Sequence, residues 1–159
     1  MRIPWHTRHV RVFEEAGSAT VEFALTSTIL FMSIFGIVGF SMAVFAHHQV
    51  SEAAREGSRY AMVRGNSCTN NGTTCTATSA QIQTYVRGLS LPAINSSSLV
   101  VTTSYSSYPT GSSCTPNANC ENPGDLVTVQ VNYPSSFNVP FVPATVLNMN
   151  ASSSMVISQ

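Results

Sequence analysis

The chain contains no lysine and little charge of either sign. Seven arginines face seven carboxylates in 159 residues, so charged side chains make up 9% and the formal net charge is zero. Soluble globular domains usually carry about 25%. With no basic surplus, neither nucleic acid nor an acidic surface is the expected partner. Histidine is missing from the C-terminal two thirds: His6, His9, His47 and His48 all lie in the first 48 positions. A Ser-His-Asp or Cys-His site there is excluded by inventory. The adjacent His47 and His48 would point about 100° apart on a helix, which suits a polar boundary better than a metal pair. There is no phosphate-binding G-x-x-x-x-G-K-[ST] loop. Glu121 and Asp125 lack a supporting feature for acid–base work and read as parts of a surface turn. The expectation is a protein that is not an enzyme, with no cofactor, no metal and no small-molecule substrate.

Beyond Arg64 the only ionisable cation and carboxylates are Arg87, Glu121 and Asp125, among many Ser, Thr, Asn, Gly, Pro and Val. That composition suits an extracytoplasmic β-containing domain kept soluble by hydroxyls and amides. Low-complexity disorder is the alternative, opposed by Val, Leu, Ile and Tyr recurring at strand-like spacing. The four cysteines, Cys68, Cys75, Cys114 and Cys120, all fall in this half. An even count in an uncharged setting reads as two disulfides outside the reducing cytoplasm. Three connectivities are open; Cys68–Cys75 with Cys114–Cys120 is favoured because each closes a short, turn-rich loop. The spacings C-x6-C and C-x5-C are wider than the two to four residues that zinc sites prefer.

Positions 23–46, FALTSTILFMSIFGIVGFSMAVFA, carry no charge. As a helix they would extend about 36 Å, enough to cross a hydrocarbon core of about 30 Å with tilt. A single isolated span must be helical, because lipid offers its backbone no partners. Arg2, Arg8 and Arg11 precede it and Arg55, Arg59 and Arg64 follow, so the positive-inside count is balanced. The cysteines set the direction, with the N-terminus cytoplasmic and the long C-terminal part outside. A cleaved secretory signal would have a shorter apolar region ending at a small-residue site; here an amphipathic pattern continues past it, which reads as a retained anchor. Gly36, Gly39 and Ala43 offer small residues for close helix contact.

Positions 50–63 repeat Val50, Ala53, Ala54, Gly57, Tyr60 and Ala61 at helical spacing, with Glu52–Arg55 and Glu56–Arg59 as i,i+3 pairs. The helix should end near Gly65. A short helix over 79–89 capped by Ser79, and strands over 98–105, 125–133 and 151–158, complete the expectation. Val127, Val129, Val131 and Tyr133 alternate with Thr128, Gln130 and Asn132. The predicted class is α+β: a cytoplasmic leader (1–17), a long helix (18–65) containing the span, and a head (66–159) with a short helix and a three-stranded antiparallel sheet. Disulfides or subunit packing would help hold so small a core.

Glu22 stands at the edge of the apolar run, where a carboxylate needs a partner or a helix dipole. The G-x-x-x-x-E pattern from Gly17 to Glu22, after a basic leader, resembles the processing site of type IV pilin-like proteins. Glu14 and Glu15 lie close to that site, and Ser18 stands where an aromatic residue is usual. Three blocks sharpen the likeness: GSATVEFAL at 17–25, QVSEAAREGSRYAMV at 49–63 and PGDLVTVQVNYP at 123–134. In this order they resemble the TadE-like family of pilus-assembly proteins. The resemblance implies a minor pilin or pseudopilin of a tight-adherence (Flp-type) system in the bacterial cytoplasmic membrane. A prepilin-type peptidase would cut between Gly17 and Ser18, and Glu22 would become an assembly residue. Other pilin-like subunits and platform proteins would be the partners. An uncleaved, membrane-anchored binding or structural domain is the rival reading.

Overall fold

A computed structural model describes residues 12–92, 94–108, 110–114, 120–137 and 145–158. The leader apart from its last six residues therefore lies outside the described residues. Helix α1 (Val12–Met62) runs for 51 residues, about 77 Å at the usual rise. No proline occurs between positions 5 and 91, so nothing removes a backbone donor along its length. It ends at Met62, slightly before the expected boundary, where the Arg64 amide turns back to the Ala61 carbonyl at 3.0 Å. The Met62 carbonyl, left without a helical donor, accepts from the Ser158 amide at 3.0 Å and the Ser158 hydroxyl at 3.3 Å. The last described residue thus closes the end of the first helix.

The head follows. Strands β1 (Thr69–Asn70) and β2 (Thr73–Thr74) form a small hairpin. Its turn is Asn71-Gly72, with φ of 50° and 79°, the left-handed pair that such two-residue turns require. Cys68–Cys75 bridges the hairpin's base. Helix α2 (Ser79–Gly88) is capped by Thr78, not Ser79: Thr78 accepts from the Gln81 amide while the Gln81 side chain accepts from the Thr78 amide. Ser79, one position on, instead accepts a 2.7 Å hydrogen bond from the Thr103 hydroxyl.

The main sheet has four antiparallel strands rather than the predicted three. They are β3 (Val100–Ser106), β4 (Ser113–Cys114), β5 (Leu126–Phe137) and β6 (Thr145–Val156), in the order β4-β3-β5-β6. Strand β4 pairs only with Tyr105 and Ser106. At two residues it is too short to display a period, and Cys114–Cys120 ties it to the turn leading into β5. The last strand starts six residues earlier than expected, because Leu147, Met149 and Ala151, of which only Met149 is buried, alternate with asparagines, which are depleted in strands. It pairs with β5 from Leu126↔Val156 to Phe137↔Thr145. Both disulfides match the favoured connectivity.

The core lies between the sheet and two helices. Val127, Val129 and Val131 on β5 are fully buried, as the alternation predicts, with Val101, Tyr105 and Met149 beside them. From α1 come Val50, Ala53, Ala54 and Ala61, and from α2 Ile82 and Val86. The predicted stripe of α1 is therefore its packed face, with Tyr60 half-buried at the margin. Gly57 sits at the closest approach: a Cβ there would lie 2.8 Å from Val86 Cγ2 and 3.0 Å from Val129 Cγ1. The neighbouring Ser58, fully buried, donates to the Arg55 carbonyl and lies 2.9 Å from the Ser153 hydroxyl across the interface. Polar pairs cover the opposite face of the sheet, including Thr128–Ser154 at 2.7 Å and Gln130–Asn150 at 3.1 Å.

Candidate functional site

The N-terminal part of α1 has a surface unlike that of the head. Its large apolar side chains from Val21 to Phe45 are 41–73% exposed, although burial in water-free surroundings is what such side chains favour. Its hydroxyls are arranged accordingly. Each serine and threonine from Thr20 to Ser41 donates to a carbonyl three or four residues earlier in the helix, at 2.7–3.0 Å. Such back-bonding satisfies a hydroxyl without solvent, which suits a helix in lipid. The stretch 17–62 is long and apolar enough to cross a membrane, and so can serve as an anchor.

Gly17, Ser18 and Glu22 all lie on this helix and are exposed. The Gly17 carbonyl accepts from the Thr20 hydroxyl at 2.8 Å, and nothing lies within 4 Å of where a Gly17 Cβ would be. Packing therefore does not require glycine at 17. Its effect is to weaken the helix there by about 1 kcal/mol relative to alanine, which eases the local opening that any backbone cleavage needs. The Glu22 carboxylate has no hydrogen bond or ion pair among the described residues, while its carbonyl accepts from the Thr26 hydroxyl at 3.0 Å. It lies one helical turn beyond Ser18, the i,i+4 spacing at which groups meet.

Gly36, Gly39 and Ala43 are half-exposed. No neighbour approaches a Cβ placed at Gly36, whereas Ala43 is partly buried beside the core cluster that begins on α1 at Ala46. The helix positions 36, 39, 43, 46, 50, 53 and 57 follow one another at alternating steps of three and four, so the small-residue stripe of the span continues onto the face that carries the head. The two ion pairs, Glu52–Arg55 at 3.8 Å and Glu56–Arg59 at 3.2 Å, lie on a solvated face.

Residues 17–59 match the family model described as TadE-like protein. The match opens at Gly17 and closes at Arg59, taking in the first sequence block and most of the second; the third, 123–134, lies beyond it. No curated protein matches the chain, and no solved structure does. The matched segment thus combines the exposed apolar helix with the packed stripe through Gly57 on which the head is seated.

Beyond the matched segment, the head holds a polar cluster that corrects the sequence expectation. Glu121 and Asp125 are each only 6% exposed, so neither belongs to a surface turn. The Thr103 hydroxyl donates to Ser79 at 2.7 Å, and Ser79 and the Glu121 carboxylate both act on the Tyr105 phenol beside them. Burial, reinforced by the Glu121 charge, pushes the Tyr105 hydroxyl up to about 12. Burial also raises the Glu121 carboxyl above its ordinary value, with the Tyr105 hydrogen bond opposing. Asp125 accepts from the Tyr108 and Asn122 amides at 3.2 and 3.1 Å, while the Glu121 carbonyl accepts from Asn66 at 2.7 Å. These contacts fasten the 120–125 turn to β3 and to the end of α1. The chemistry is that of a structural clasp: both Asp125 carboxylate oxygens accept from backbone amides of the fold. Pro123 and Gly124, the latter at φ 101°, mark the turn in the sequence, but nothing there announced that its acids fold inward.

Proposed function

We propose that the chain is a minor pilin or pseudopilin-like component of a tight-adherence pilus or secretion system, working by association and not by catalysis. The observation that carries this reading is the coincidence of the TadE-like match with an apolar stretch of helix whose large side chains from Val21 to Phe45 are left exposed by a head whose core starts at Ala46. Residues 23–46 anchor the subunit in the bacterial cytoplasmic membrane, with the leader in the cytoplasm and the head outside. A prepilin-type peptidase cuts after Gly17, leaving Ser18 as the new amino terminus. Helix packing against other pilin-like subunits and platform proteins follows, with Glu22 setting axial register through a charge pair. Desolvation makes that pairing selective: an unpaired carboxylate in lipid is expensive, whereas one facing an ammonium group is accommodated.

The rival, an anchored domain that is never cleaved or polymerised, predicts indifference to Glu22. Glu22→Ala, expressed with the cognate machinery, tests the difference. Membrane insertion and both disulfides should survive, because Glu22 touches nothing in the head, while co-purification with pilin-like subunits should fall at least tenfold. That factor corresponds to about 1.4 kcal/mol for one lost pairing. Undiminished co-purification would refute the role given to Glu22.

A further inference from the structure

The head's membrane-proximal end has an apolar contact of its own. Chain direction in β6 follows that of α1: Ser58 meets Ser153, and Met62 meets Ser158. Going back from Ser58 to Ala46 covers 12 residues of helix, about 18 Å. Going back from Ser153 to Leu147 covers six residues of strand, about 20 Å. Leu147 and Val146 therefore lie at the end of β6 directed toward the 23–46 apolar run. Ala46, the last residue of that run, is buried at 5% exposure as part of the core, so the head reaches the end of the run. At this end Val146 is 68% and Leu147 50% exposed, while the outward positions that follow are Asn148, Asn150, Ser152 and Ser154. In the sequence no ionisable residue occurs from Phe137 to Leu147.

From this we infer that the N-terminal end of β6, at Val146 and Leu147, rests in the boundary between lipid headgroups and acyl chains, giving the head a second membrane contact beside the helix. The occupant is lipid because the patch continues the surface that already faces lipid in the anchor reading, on which this inference rests. Side chains with an apolar body are stabilised at that boundary, and apolar faces enter it by about 5–10 Å. The contact would restrain the tilt of the head about the point where α1 leaves the bilayer.

The test uses the full chain in vesicles of phosphatidylethanolamine and phosphatidylglycerol, in a Trp5→Phe background that removes the only native tryptophan. Single tryptophans are introduced at exposed positions as Phe35→Trp, Val146→Trp, Leu147→Trp and Val156→Trp, and quenching by lipids brominated at defined depths is read. Expected is deep quenching for Phe35→Trp, shallow quenching with blue-shifted emission for Val146→Trp and Leu147→Trp, and none for Val156→Trp at the far end of β6. Quenching of Phe35→Trp without any at 146 or 147 would overturn the contact and leave the anchor standing. Loss of quenching at all four positions would overturn the anchor and the contact together.

Discussion

Gly57 provides a sign test of how closely α1 approaches the head. At an ordinary exposed helix position, Gly→Ala stabilises by about 1 kcal/mol. Here the added methyl would lie 2.8 Å from Val86 Cγ2 and 3.0 Å from Val129 Cγ1. Both neighbours are β-branched and stiff at χ1, and both are fully buried, so neither can swing into solvent. Overpacking of this kind costs about 1–3 kcal/mol. The propensity gain offsets part of it, and Gly57→Ala should be net destabilising by about 1 kcal/mol. All five tyrosines lie in the head or on the part of α1 packed against it, so near-UV circular dichroism in detergent micelles during guanidinium unfolding reports on this interface. Val86→Ala alone should cost about 2 kcal/mol through the cavity it leaves. In that background the added methyl finds room, so Gly57→Ala should become neutral or stabilising, a coupling of about 1 kcal/mol or more. An increase in stability from Gly57→Ala in the native background, or equal effects in both backgrounds, would refute the close approach.

Further outcomes follow from the head. One tyrosine of the five should ionise near pH 12, detected as a late phase in ultraviolet titration and removed by Tyr105→Phe. Because that folded value lies above the unfolded one of about 10, the stabilisation linked to neutral Tyr105 is complete below pH 10 and is lost as pH rises through 12. Glu121 has the same sign: its raised folded value makes its linked contribution fullest below the unfolded value of about 4.3 and lost as pH rises above that. Glu121→Gln should therefore flatten the pH dependence of the unfolding midpoint just above that value, and an unchanged profile would count against the buried pair. Replacing Cys114 and Cys120 together by serine should cost about 2 kcal/mol, the loop-closure entropy of so short a ring, measured as a lower guanidinium midpoint. Ser58→Ala, which strips the Ser153 hydroxyl of its buried neighbour, should cost about 1–2 kcal/mol in the same assay.

Much of this architecture could be read from residue order, for identifiable reasons. The apolar run needed no tertiary information, because length and lack of charge suffice to make a spanning helix. The packed stripe of α1 and the valine alternation of β5 were legible because each element has one buried face, which stamps its period on the sequence. The disulfide pairing followed from loop length. What escaped depended on contacts between distant residues. Strand β4 exists only because Ser113 and Cys114 meet the end of β3, and the cap of α2 shifts to Thr78 while Ser79 serves Thr103. Glu121 was misplaced on the surface because its burial depends on Tyr105, sixteen positions away. The Asn71-Gly72 pair is a turn signal in the sequence, and the two short strands it joins, of two residues each, are too short to show a period. Gly17, Ser18 and Glu22 were proposed from residue order alone; the structure adds that α1 runs unbroken through them and that the core begins on it at Ala46.

The central claim is that this subunit is processed like a pilin. Intact-mass and peptide mass spectrometry of the membrane-extracted protein, made with its cognate machinery, tests that claim most directly. The account predicts an amino terminus at Ser18. A protein still beginning at Met1 or Arg2, in cells whose peptidase demonstrably cuts another substrate, would contradict it and leave a permanently anchored domain.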